Sequence, residues 1–423
     1  MTQARKVHIV GAGMAGLAAT VRCVELGLQV SLSEGAPQAG GRCRSFDDAT
    51  MGTVIDNGNH LILGANPAIF AHLRALGAEG SLTPLDPPRF PFIDLVTGKR
   101  WTVRPGMGRL PWWLLVPGRS VPGAGLADYA AVLRLLNAPV SARLGDYVDT
   151  NTAMFARFWE PFALGVMNTE AKDASAYLIG RVLRETLLKG GAASRPYFAE
   201  QGLGTALVEP AVAFLNGKGA AVAFSRRLRA LETSGDRVTR LTFADQAVEV
   251  AEDETVILAV PSWEAGNVVP DLVVPSETRP IVNAHFRVDG HFELPGGAPF
   301  VGVIGGTAHW LFRRGPIVSA TVSAAVELAE MPAEDVAAAI WRDIARSIGR
   351  PKAPVPVHRI IKERRATIVQ TPEEDARRPK AMTKWRNLLL AGDWTQTGLP
   401  ATIEGAVRSG RLAAEMAANS DNR

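Results

Sequence analysis

Gly11-Ala12-Gly13-Met14-Ala15-Gly16 is a G-x-G-x-x-G, and Glu34 stands 21 residues beyond its central glycine. Those residue types suit a dinucleotide. Gly11 permits a tight turn, Gly13 lets a pyrophosphate approach the backbone, and Gly16 lets the next helix pack against a strand. A helix beginning there offers free N–H groups and its positive end to the phosphates. Glu34 would accept hydrogen bonds from a ribose diol and repel a 2′-phosphate. In a chain with 41 glycines the motif alone is weak. Its surroundings make it strong, because a β-branched strand (Lys6–Val10), a helical stretch (17–26) stopped by Gly27, and a second strand (Gln29–Ser33) fall in the required order.

A second glycine pair follows the acid after a short loop, giving E-x5-G-G-R-x-x-S from Glu34 through Gly41 and Arg42 to Ser45. Near the other end, Trp385 to Asp393 reads as a buried strand ending in Leu390-Ala391-Gly392-Asp393, and Ala401-Thr402-Ile403-Glu404-Gly405-Ala406 follows. On these motifs the chain resembles the flavin-binding amine oxidase and phytoene desaturase superfamily. The resemblance implies a non-covalently held FAD, since neither Cys23 nor Cys43 lies in the C-terminal segment. It assigns cofactor contacts to residues 11–16, Glu34, Gly41, Arg42, Gly58, Asn59, His60, Leu228, Gly392, Asp393, Thr402 and Ile403. A helix starting after Pro400 would turn its positive end toward the reduced, anionic flavin.

The implied fold is a two-domain α/β (α+β) arrangement: a Rossmann-type FAD-binding domain from 1–85, 196–265 and 384–423, interleaved with a mixed-sheet and helical substrate domain from 86–195 and 266–383. The sequence breaks accordingly at the proline-rich stretch 83–89. Residues 202–214 read as a helix, and 238–243 and 255–260 as strands, the latter matching the family's second cofactor strand. Strands at 281–288 and Ile317–Val322 read as a substrate-domain sheet. Residues 332–348 form an amphipathic helix whose Val336, Ile340 and Ile344 share a packing face.

Composition removes other classes. Hydrophobic residues make up 47% and charged residues 21%, so a large core can form. The net charge of +4 comes without long runs of one sign, which argues against nucleic acid. Two cysteines and seven dispersed histidines lack metal-ligand spacing, so no metal is expected. Without a signal-peptide pattern or a long apolar stretch, the expected location is cytoplasmic, or peripheral on the inner face of the membrane.

Five internal strings are narrower: Asp56-Asn57-Gly58-Asn59-His60, Phe90-Pro91-Phe92-Ile93-Asp94-Leu95, Gly108-Arg109-Leu110-Pro111-Trp112-Trp113, Asn283-Ala284-His285-Phe286-Arg287 and Glu363-Arg364-Arg365-Ala366-Thr367. Together they resemble the hydroxysqualene dehydroxylases of bacterial hopanoid biosynthesis, over about residues 6–417. That resemblance implies a long-chain isoprenoid substrate whose allylic hydroxyl is protonated and lost, with hydride from reduced flavin completing squalene. The flavin must then be reduced by an electron donor, either NAD(P)H at a second site without a Rossmann motif or a separate reductase. His60 is the first candidate acid, its ordinary pKa suiting proton donation near neutrality. Asp56 could orient that ring or serve as the donor, and Glu404 is a third candidate, although it could instead cap a helix. His285 reads as a sheet residue, and Cys43 as a small filler that Arg42 and Arg44 could also activate. Trp112-Trp113 read either as a tunnel wall or as an anchor for peripheral membrane contact. The rival readings are an oxidative polyene desaturase or amine oxidase of the same superfamily, and a non-catalytic isoprenoid-binding protein.

Overall fold

The computed structural model describes residues 5–108, 116 and 118–419. Residues 109–115, and with them Trp112-Trp113, lie outside the described residues.

The cofactor-side sheet is parallel and five-stranded, in the order Val222–Ala223, Gln29–Ser33, Lys6–Val10, Thr255–Leu258, Leu388–Leu390. Its central strands are short runs buried on both faces, as a parallel sheet requires, while Gln29–Ser33 and the edge strand Val222–Ala223 are partly open. Val7, Ile9, Leu32, Ile257 and Leu389 join one core with Leu17 of the first helix and Val407 of the last. Burying each such side chain stabilises the fold by roughly 1.5–3 kcal/mol. The helices Met14–Glu25 and Ile403–Ala418 touch through their backbones: a Cβ on Gly410 would stand 2.0 Å from the Ala15 carbonyl oxygen. The two ends of the chain therefore build one surface.

The second sheet has seven strands, ordered His358–Ile368, Thr278–Arg287, Ile317–Val322, Trp310–Arg314, Phe300–Ile304, Phe90–Asp94, Arg100–Val103. It is antiparallel except where Phe90–Asp94 runs parallel to Phe300–Ile304. Strand alternation divides its central residues by face. Val282, Ala284, Phe286, Val318, Ala320 and Val322 pack against Val336, Ile340 and Ile344 of the helix Ala333–Ser347. The intervening Asn283, His285, Ser319 and Thr321 are polar, and Asn283 pairs across the strands with Thr321 and His285 with Ser319. The helix is thus packing, capped by Pro332 with Glu334 and Asp335 in its first turn.

Two elements differ from the sequence reading. The single helix expected over 202–214 is a wide turn at Gly204–Val208 followed by an α-helix at Glu209–Gly217. Pro210 has no N–H to donate into the preceding turn, so the regular ladder restarts around it. The C-terminal strand is confined to Leu388–Leu390, because Asn387 turns its side-chain amide to the backbone N–H and C=O of Val238.

Candidate active site

The glycine turn follows directly from Val10. Gly11 has φ +102°, and a Cβ there would lie 2.5 Å from the Ala259 carbonyl oxygen, while a Cβ on Gly16 would reach 1.7 Å from the Gly11 oxygen. Around Gly13 the reverse holds: a Cβ would meet nothing within 4 Å. The turn is closed on its packing side and open on the side where the helix Met14–Glu25 presents its first N–H groups. Glu34 accepts from the Ala12 N–H at 2.6 Å and the Ala36 N–H at 2.8 Å, so its carboxylate is fixed beside this opening. Gly40 bridges to Gly13 and donates to the Ala12 carbonyl at 2.8 Å, laying the second glycine pair on the first.

Arg42 follows that pair. One guanidinium nitrogen donates to Asp393 Oδ1 at 2.7 Å and another to the Ala366 carbonyl at 2.6 Å. Asp393 is buried, and Gly392 before it donates to Ser409 Oγ at 3.0 Å. Thr402 caps the last helix by accepting from the Gly405 N–H. Glu34, Arg42, Asp393 and the open face of Gly13 suit the diphosphate and sugar hydroxyls of a dinucleotide, so these residues fit the expected cofactor. Leu228 is a buried strand residue of a neighbouring three-stranded sheet. Cys43 is buried, which pushes its thiol up to about 12 despite Arg42. It is a filler and not an activated thiol.

A cavity lies against the second sheet, lined by Asp56, Asn59, His60, Phe198, Phe312, Arg314 and Ser319 among others. Phe198 and Phe312 stack with ring centres 6.2 Å apart. Asn59 donates to Thr321 Oγ1 at 3.2 Å, Thr321 to Asn283 at 2.8 Å, and Asn283 to the Asn57 carbonyl at 3.1 Å. This chain of bonds holds the 57–60 loop against the sheet.

The three candidate acids are far from equivalent. His60 lines the cavity and is exposed to solvent there. Crowding by neighbouring groups, then the positive charge of Arg42, lower its pKa against the pull of Asp56, while the ring keeps access to solvent. That direction runs against the expectation of a proton donor poised near neutrality. Asp56 is buried and accepts from Ser45 Oγ, from the Leu203 N–H at 3.0 Å and from Arg314 at 2.7 Å. It is a clasp between three segments, and its carboxylate oxygens are taken by those donors and not by His60. Glu404 is 2% exposed, accepts from the N–H groups of Ala68 and Ile69 at 3.1 Å, and pairs with Arg408 at 2.9 Å. It caps the helix Pro67–Ala75, which is the structural alternative, and we do not carry it forward as an acid.

Sequence reasoning missed Phe198, Phe312, Arg314 and Ser319 as cavity residues. They sit on strands whose local pattern is ordinary; the one available signal was polarity recurring every second residue at 283, 285, 319 and 321. Among the described residues no cluster of His, Cys, Asp and Glu could hold a metal, and no helix is long and apolar enough to cross a membrane.

Residues 14–417 match the family described as flavin containing amine oxidoreductase. The chain is 45% identical to a hydroxysqualene dehydroxylase from Rhodopseudomonas palustris, over 97% of this chain and 98% of that one. It is 44% identical to another from Sinorhizobium fredii, over 99% of both. Among solved structures, an oxidoreductase from Methanosarcina mazei superposes with a TM-score of 0.74 at 13% identity, covering 97% of this chain and 100% of that one. At that identity the likeness speaks to the fold alone.

Proposed function

The chain belongs to the flavin containing amine oxidoreductase family and, within it, to the hydroxysqualene dehydroxylases, and from that premise we propose that it converts hydroxysqualene to squalene by reductive loss of the allylic hydroxyl, using non-covalently held FAD. The carrying observation is the cavity, which sets two stacked aromatic rings beside hydrogen-bonding groups, with His60 on its wall within reach of the Arg42 charge.

Glu34 would hold the ribose diol, the turn at Gly11 to Gly16 the pyrophosphate, and Arg42 with Asp393 the stretch leading to the flavin ring. Asn59, His60, Thr402 and Ile403 would border that ring. FAD, when bound and reduced, would supply the hydride. The protein's own tasks are then to bind an apolar chain, keep water out, and deliver a proton to the leaving oxygen. Phe198 and Phe312 provide apolar wall, and their faces favour positive charge that develops on an allylic carbon. Arg314 would oppose such charge, and its pairing with Asp56 mutes that effect. His60 serves as a hydrogen-bonding group. The substrate-binding part comprises 86–195 and 266–383, and the cofactor part the remainder. A peripheral membrane contact would load the thirty-carbon substrate, and a separate electron donor would reduce the flavin.

An anaerobic single turnover tests this reading. Protein with chemically reduced flavin is mixed with hydroxysqualene and followed by absorbance and lipid mass spectrometry. Flavin reoxidation matched by squalene is expected. A flavin that stays reduced beside untouched substrate would overturn the assignment.

A further inference from the structure

The polar face of the second sheet ends at the cavity in one hydroxyl. Ser319 lines it, across the strand pairing from Phe312. Behind Ser319, His285 is 1% exposed and places Nδ1 2.7 Å from Ser319 Oγ. The neighbouring rung is internally satisfied, with Asn283, Thr321 and Asn59 bonded to one another. The His285–Ser319 rung is different, because one side is a titratable ring and the other opens on the substrate cavity. His285 Nε2 is buried without a completed hydrogen bond, facing the Asp56 backbone carbonyl, which favours a proton on that nitrogen. With both ring nitrogens protonated, Nδ1–H donates to Ser319 Oγ, and the serine O–H is free to donate into the cavity.

We propose, on the strength of the dehydroxylase reading above, that Ser319 is the catalytic residue that hydrogen-bonds the substrate's hydroxyl and passes it a proton drawn from His285, the positioning residue behind it. The C–O bond breaks with its electron pair on oxygen. That oxygen takes the Ser319 proton and leaves as water, while the His285 Nδ1 proton restores the serine and leaves a neutral imidazole. The carbon gains the two electrons of the hydride that the reduced cofactor gives up in the dehydroxylation. Bulk water reprotonates His285 afterwards.

His285 is faced by the carboxylates of Asp56 and Asp48, by Arg314, which pairs with Asp56, and by Arg359, its strand neighbour, which pairs with Asp48. Burial dominates and sets the ring at about 4. The charged form is scarce at neutral pH and strongly acidic when present. The proton-delivery rate should therefore fall about tenfold per pH unit from 6 to 8.

The test is the pre-reduced holoenzyme in single turnover with hydroxysqualene across that pH range, alongside equilibrium binding of hydroxysqualene and squalene to the oxidised holoenzyme. Expected for Ser319→Ala is a loss of at least about 100-fold in the rate of squalene formation and of the pH slope. Its binding preference for hydroxysqualene over squalene should shrink roughly five- to tenfold. Ser319→Thr keeps the hydroxyl and should restore both, and His285→Gln should flatten the slope with the preference retained. Flavin content of each variant reports folding. A Ser319→Ala protein with wild-type rate, slope and preference overturns the pair while leaving the dehydroxylase reading intact. A wild type that yields no squalene at any pH removes that reading, and the acid assignment with it.

Discussion

Arg42 and Asp393 are 351 residues apart in the chain and 2.7 Å apart in the fold. Their ion pair joins the loop after the second glycine pair to the turn before the last helix, so the cradle is closed by both ends of the sequence. Arg42 is not replaceable by charge alone, since its fork reaches Asp393 and the Ala366 carbonyl together.

Arg42→Lys should therefore fold but hold flavin at least about tenfold more weakly, because one of two charge-assisted contacts is lost. Asp393→Asn should act in the same direction. The check is the flavin-to-protein absorbance ratio after dialysis, with circular dichroism to confirm the fold. Full flavin occupancy in both variants would show that the pair is incidental to the cofactor.

Gly13 and Gly16 make opposite predictions from neighbouring positions. Gly13 has φ −72° and ψ −179°, extended values open to any residue, and empty space where a Cβ would go. Gly13→Val should keep wild-type thermal stability yet purify with little flavin. Gly16→Ala drives a methyl into the Gly11 carbonyl at 1.7 Å, which forces the helix off the strand and should cost several kcal/mol. Thermal melts monitored with and without added flavin separate the two: added flavin should leave the Gly13→Val melt unmoved and raise the wild-type one.

The cofactor cradle was legible in sequence because it is local: glycines, an acid and a helix start lie within forty residues, and their order is their geometry. The substrate cavity was far less so. His60 could be found from its neighbours, but the environment that lowers its pKa includes Arg42, which no spacing rule brings to it. Asp56 was recognised as interesting, yet its partners Arg314 and Leu203 arrive from 258 and 147 residues away. Glu404 sits beside flavin-contact positions in sequence, while helical geometry turns its side chain away to the helix Pro67–Ala75.

Glu404 and Asp56 should accordingly fail as acids in different ways. Glu404→Gln keeps an acceptor and should lower stability by about 1–2 kcal/mol through weaker capping, with the single-turnover rate and its pH slope unchanged. Asp56→Ala leaves Arg314 partly buried without its partner and should destabilise by roughly 3–5 kcal/mol. Chemical denaturation of the two variants, beside turnover of whatever remains folded, distinguishes clasp from acid. A rate collapse in Glu404→Gln at full stability would reverse its reading.

Buried histidines should make the protein acid-labile well above the usual carboxylate range. His72 is fully buried in the helix Pro67–Ala75, neither ring nitrogen has a hydrogen-bond partner, and burial with the nearby Arg411 pushes it down to about 4. An unfolded histidine titrates near 6.5, so between about pH 6.5 and 4 the unfolded chain binds a proton that the folded protein refuses. Stability is therefore intact above 6.5 and falls as the pH drops toward 4. The full difference for this one group is about 3 kcal/mol. His309 is depressed to about 4 by burial as well and adds in the same direction. Replacing His72 with Leu removes one of these groups without opening a large cavity, so its melting temperature should fall less steeply than the wild type's between pH 7 and 5. Parallel pH slopes for the two proteins would mean that His72 accepts its proton in the folded state, through a local opening of the contact between its helix and Ile403–Ala418.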